Sequence, residues 1–169
     1  VLNMADGCLL LIDAVEGPMP QTRTVLARAL ERGLRPIVVV NKIDRPASRI
    51  DEAMERLQDL FLELATDPEQ LEFPVLFAIA REGRAGFEPE VEKLAPDLRP
   101  LFETIVREVP APDVDVDGPA QMLVASLDYD PHRGRIAIGR IQRGTIHTGD
   151  TLLHLGTDGT ETRQKISGL

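Results

Sequence analysis

The chain reads as an α/β protein: a parallel sheet alternating with helices, followed by an incomplete antiparallel β-barrel. Three observations predict this. Two apolar runs, Leu9-Leu10-Leu11-Ile12 and Ile37-Val38-Val39-Val40, each end in a polar residue, Asp13 and Asn41, as parallel strands buried on both faces do. The segment between them carries Val25, Leu26, Ala29 and Leu30 as one helical stripe. Beyond residue 119 the apolar period changes from helical to strand-like.

Residues 7–13 are the first strand. Glu16-Gly17-Pro18-Met19-Pro20 is loop chemistry, and Pro20 suits a first helical position. The helix that follows ends at Gly33, which offers a left-handed stop, and it links two neighbouring parallel strands in a β-α-β unit. Pro36 to Val40 is the second strand, and it delivers Asn41-Lys42-Ile43-Asp44 at its carboxyl end, where open parallel sheets place ligands. Ser48 with Asp51 has the spacing of a capping box, and Ile50, Met54, Leu57, Phe61 and Leu64 recur at helical spacing behind it. Residues 73–80 read as a third strand whose end adjoins the Asn41 loop. Residues 81–96 are irregular and charged. A last helix carries Leu98, Leu101, Phe102, Ile105 and Val106 on one face and stops before Pro110.

The stretch 110–119 has no periodicity and many helix and strand breakers, so the domain boundary is expected there, with domains at 1–109 and 120–169. Strands are expected at 121–127, 134–141, 150–155 and 160–166, with Asp158-Gly159 as a hairpin turn. Too few strands are present to close a barrel. Val1 begins the chain almost at a strand, and with the early stop at Leu169 this reads as an excerpt of something longer.

Net charge is −9, unevenly spread: residues 1–119 hold 13 Lys and Arg against 23 Asp and Glu, while residues 120–169 hold 6 against 5. So acidic a first part argues against an independent nucleic-acid binder, and no DNA contact is expected. Arg133, Arg135, Arg140 and Arg143 lie close together in the second part, as a solvated face or an RNA contact. No apolar run approaches a membrane span. The single cysteine, Cys8, allows no disulfide framework, which points to a reducing compartment, the cytoplasm by default.

The Asn41 loop suits a guanine base. Guanine presents N1–H and N2–H2 as adjacent donors, and one carboxylate at Asp44 can accept both; adenine lacks that pair. The Asn41 amide can donate toward the acceptor edge or brace the loop, and the Lys42 stem can lie over the ring with its ammonium in water. The bland alternative is a strand-end turn in which Asn41 and Asp44 cap the next helix. Asp13 also stands where P-loop ATPases keep a magnesium-associated aspartate, but no phosphate-cradling glycine loop accompanies it, and a loop-ordering role is preferred.

Together these stretches resemble the translational GTPases, most closely the TypA/BipA family. The resemblance is carried by residues 11–23, by Asn41-Lys42-Ile43-Asp44-Arg45-Pro46, by Val109-Pro110-Ala111-Pro112-Asp113, by Leu127-Asp128-Tyr129-Asp130, and by Gly134 to Ile141 with Arg143 to Ile146. It implies a P-loop-GTPase-like sheet, the C-terminal part of a GTP-binding domain, followed by a partial translation-factor barrel. It implies GTP and GDP as ligands, with Asn41, Lys42, Ile43 and Asp44 around the base and Ala78-Ile79-Ala80 approaching its O6 through backbone N–H. It also implies the ribosome, rRNA and ribosomal proteins, as partner in assembly or stress adaptation, and no membrane. Ala78 departs from the family, whose pattern begins with Ser there, so a bracing hydroxyl is missing. The family's phosphate-binding loop, magnesium-linked threonine and water-positioning histidine have no counterpart in these residues, so Mg2+ is implied only for a longer protein and no catalytic residue is expected here. His132, His147 and His154 lack the neighbours for that role or for a metal site. The chain alone is expected neither to hydrolyse GTP nor to hold it tightly. The competing expectation is a non-catalytic module that docks on the ribosome or another protein.

Overall fold

The structure is a computed structural model that describes residues 5–112 and 114–169. Asp113 of the 109–113 motif, and the first four residues of the 1–109 domain, lie outside the described residues. The chain divides into two compact units at Ala111 and Pro112, each described by itself.

The first unit is built on a four-stranded sheet in the order β1 (Gly7–Asp13), β2 (Arg35–Asn41), β3 (Val75–Ile79) and β4 (Arg84–Gly86). The first three strands are parallel and β4 is antiparallel to β3. The connections are α1 (Pro20–Leu30) between β1 and β2, α2 (Ile50–Leu64) between β2 and β3, and α3 (Arg99–Glu108) after β4.

The β2 strand is buried on both faces as its valines predict, with Pro36 through Val40 all in the core. The β1 strand is not. Leu10 and Ile12 are buried, but Leu9 and Leu11, on the opposite face, are exposed, and among the described residues β1 is an edge strand paired only with β2. An unbroken apolar run thus marks a strand without stating how many of its faces are filled.

The α1 helix starts at Pro20 as expected, and Gly33 turns the chain out of it at φ 68°, a value that glycine adopts at no steric cost. Its buried stripe is Leu26, Ala29 and Leu30, and Val25 is half exposed. The expected capping box before α2 does not form. Arg49 occupies the N-cap without a side-chain bond, and Ser48 Oγ is buried with no hydrogen-bond partner among the described residues. In its place Asp51 and Glu52 in the first turn complement the helix dipole. Leu57 and Phe61 of α2 are fully buried, and the Phe61 ring stacks on Phe73 at 3.9 Å between centroids.

The stretch expected to be irregular contains β4. Three residues, Arg84-Ala85-Gly86, are too short a strand for periodicity to reveal. Arg84 fixes the loop that follows by donating to the carbonyl oxygens of Val91 and Leu94. The α3 stripe is also rotated from the expected one: Leu98 and Leu101 pack on Val39, Ala78 and Ala85, and Thr104 is fully buried, while Phe102 and Val106 face outward. Thr104 Oγ1 donates to the Pro100 carbonyl at 2.8 Å, which satisfies the one buried polar side chain of the helix.

The second unit holds two antiparallel hairpins among the described residues. One pairs β5 (Gln121–Asp130) with β6 (Gly134–Arg143), and the other β7 (Thr151–Leu155) with β8 (Glu161–Lys165). All four strands were expected, and β5 and β6 run further than their apolar alternation marks. Asp130 Oδ1 accepts from the amides of His132 and Arg133 to shape the first turn. The ladder slips between Val124 and Ser126, and there the Leu123 carbonyl oxygen lies 2.0 Å from where a Cβ on Gly139 would stand, so only glycine fits. Residues 114–119 run beside this hairpin: Asp115 bridges to Arg143, backbone to backbone, and pairs with its guanidinium at 3.2 Å.

Candidate guanine-base site

The register of the parallel sheet decides which loops meet. Asp13 lies opposite Asn41, and Asn41 lies opposite Ala78, so the loops leaving β1, β2 and β3 emerge side by side at one end of the sheet. That is the end where open α/β sheets bind ligands.

Asn41 holds two of these loops together. Its Oδ1 accepts from its neighbour's amide, Lys42 N, at 2.8 Å and from Ala80 N at 3.0 Å. Of the two roles open to the Asn41 amide, the structure shows the brace. Lys42 has φ 65°, the one non-glycine residue in the left-handed region among those described. Such a backbone costs on the order of 1–3 kcal/mol and persists only where surrounding contacts impose it. Here those contacts are the bond to Asn41 Oδ1 and an ion pair from Lys42 Nζ to Asp13. The Lys42 ammonium is therefore anchored on β1 and not free in water as expected. Asp13 in turn accepts from Val15 N at 2.9 Å, which is the loop-ordering role its place predicts. The Lys42 hydrogen bond, ahead of the Val15 amide, holds the Asp13 carboxyl below the ordinary carboxylate range.

Between the loops lies a cleft of about 130 Å³ lined by Asn41, Lys42, Asp44, Arg45, Ile79, Ala80 and Arg81. Pockets for drug-sized molecules run to roughly 300–1,000 Å³, so this one suits a single heterocycle and not a whole nucleotide. The Asp44 side chain is largely covered, 17% exposed, and its Oδ2 pairs with Arg81 at 2.9 Å.

The expected site residues therefore divide. Asn41, Lys42 and Asp44 line the cleft with polar groups. Ile43 is buried in the core cluster that also holds Val40 and Leu57, and so anchors the loop from below. Ala78 and Ile79 are buried in β3, and only Ile79 reaches the cleft wall. Ala80 lines it, but its N–H, expected to face a base, is engaged by Asn41 Oδ1. The sequence reading missed Arg81. Its one signal was a cation immediately following the loop expected at the base.

Magnesium does not fit the residues present. Among the described residues no three His, Cys, Asp or Glu gather as a metal site, and the Asp13 carboxylate is taken by Lys42. No described helix is long and apolar enough to cross a membrane.

Residues 1–111 match the family of the elongation factor Tu GTP-binding domain, and residues 119–167 match elongation factor G domain 2. The large ribosomal subunit assembly factor BipA of Synechocystis is 48% identical over all of this chain, which spans 28% of that protein. The Escherichia coli protein of the same name is 45% identical over 98% of the chain, which spans 27% of it. A putative TypA-like chloroplast elongation factor of Arabidopsis thaliana is 51% identical over 88% of the chain. The chain thus spans 22% to 28% of the length of these relatives. The apo crystal structure of elongation factor SelB from Methanococcus maripaludis superposes with a TM-score of 0.67 over 95% of the chain and 35% of that protein, at 17% identity, and shows the same fold. On these matches of sequence and family models, with a fold to suit them, the chain belongs to the TypA/BipA family of translational GTPases.

Proposed function

We propose that this chain is the guanine-reading portion of a GTPase that binds the ribosome and serves assembly of its large subunit. The observation that carries the reading is Asp44: a largely covered carboxylate in a base-sized cleft, beside a strained loop pinned by Asn41 and Lys42. Its two oxygens suit the N1–H and N2–H2 donors of guanine, and a base without them leaves the carboxylate unpaired. Ribosome assembly is supported by the names of relatives 45% and 48% identical to the chain.

In this reading residues 1–109 are the C-terminal part of a GTP-binding domain, 110–119 a linker and 120–169 part of the second domain. Phosphates, Mg2+ and the attacking water belong to segments outside these residues, so the chain by itself is inactive and the full-length protein, in the cytoplasm, hydrolyses GTP. Co-sedimentation of the full-length protein with large ribosomal subunits, in GTP and in ATP, tests the proposal. Binding that responds to GTP alone is expected; binding indifferent to the nucleotide would leave a docking module without guanine chemistry.

A further inference from the structure

We propose that Arg81 is a resident mimic of the guanine edge, which the base must displace to bind. The inference rests on the guanine-site reading above and adds a residue to it. Guanine offers Asp44 an N1–C2–N2 fork of two adjacent N–H donors on one plane. A guanidinium offers a carboxylate the same planar fork. Arg81 already brings one arm of it to the carboxylate: its Nη2 stands 2.9 Å from Asp44 Oδ2, and both residues line the cleft.

The arginine is placed to leave. Its side chain is 74% exposed, whereas that of Asp44 is 17% exposed, so the carboxylate is part of the floor and the guanidinium is a movable lid over it. A second acceptor is at hand, because the same Nη2 lies 3.5 Å from Glu82 Oε1. Swinging wholly to Glu82 frees Asp44 Oδ2 without stranding the arginine charge. Arg84, 3.7 Å from the other Glu82 oxygen, leaves that acceptor only loosely engaged. Arg81 is thus an internal ligand of Asp44, and apparent affinity for guanine is lowered by the fraction of molecules in which Arg81 is in place.

Exposed ion pairs are worth about 0.2–1 kcal/mol, so removing this one should tighten GDP binding by about 1.4- to fivefold. The test is calorimetric titration of GDP, IDP and ADP onto the full-length protein as wild type, R81Q, R81K, D44N and R81Q/D44N. Expected are a GDP preference over ADP in the wild type, the stated gain for GDP and IDP in R81Q, a smaller gain in R81K, and none from adding R81Q to D44N. The wild-type deficit should also shrink as salt screens the Arg81–Asp44 pair. Weaker or unchanged GDP binding in R81Q, or a gain that persists on the D44N background, overturns the mimic while leaving Asp44 as the base reader. A wild type that does not distinguish GDP from ADP overturns the guanine reading, and the mimic with it.

Discussion

Replacing Asp44 with Asn keeps the size and cover of the side chain and removes its charge, which makes it the sharpest perturbation of the site. In the wild type the two oxygens would accept N1–H and N2–H2 of guanine, each charge-assisted bond contributing roughly 1.5–3 kcal/mol. Against this stands the displaced Arg81, whose 74% exposure limits its ion pair with Asp44 to about 1 kcal/mol at most. The net loss in D44N is then about 2–5 kcal/mol, a factor of roughly 30 to 5,000 in the dissociation constant for GDP. IDP, which lacks the 2-amino group, gives a scale within the same experiment, since it should bind the wild type roughly 10- to 100-fold more weakly than GDP. Calorimetric titration of the full-length protein reads both. D44N binding GDP within threefold of the wild type, or IDP binding as well as GDP, would refute the bidentate contact.

Three further outcomes follow from the contacts around the cleft and the core. Asn41→Ala removes the acceptor shared by Lys42 N and Ala80 N; losing both bonds should cost about 1–3 kcal/mol in denaturant unfolding and weaken GDP binding as well. Asp13→Asn removes the ion pair with the half-exposed Lys42 and should cost up to about 1 kcal/mol at neutral pH. Because the folded protein holds the Asp13 carboxyl below its ordinary 3.8, the pair contributes stability above that value and loses it as pH falls through the lower folded-state value. The gap in Tm between wild type and D13N should therefore be present at neutral pH and close once both carboxyl values have been passed. Phe61→Ala empties a fully buried position stacked on Phe73 and should cost about 3–5 kcal/mol in the same denaturation experiment, leaving any folded fraction with its guanine preference intact.

How legible the molecule was depended on how much of the physics is local. The β2 strand and its Asn41-Lys42-Ile43-Asp44 loop were legible because a strand buried on both faces writes itself as an unbroken apolar run. The same pattern misled at Leu9 and Leu11, since exposure of one face depends on what covers it and not on the strand. A capping box at Ser48 failed because the helix starts one residue later than the spacing needs, at Ile50. The site was legible as a set of residue types and only partly as contacts. That Asn41 braces the loop, that the Lys42 ammonium is spent on Asp13 and that Arg81 occupies Asp44 are consequences of sheet register, which brings together residues 29 to 39 positions apart.

A crystal structure of the full-length protein with GDP bound would show directly whether Asp44 reads the base. The base is expected in the cleft between the Asn41 and Ala80 loops, with N1 and N2 each at hydrogen-bond distance, about 2.7–3.2 Å, from the two Asp44 oxygens, and with the Arg81 guanidinium turned away. A base bound elsewhere, or bound in the cleft with the Arg81–Asp44 pair intact, would contradict it.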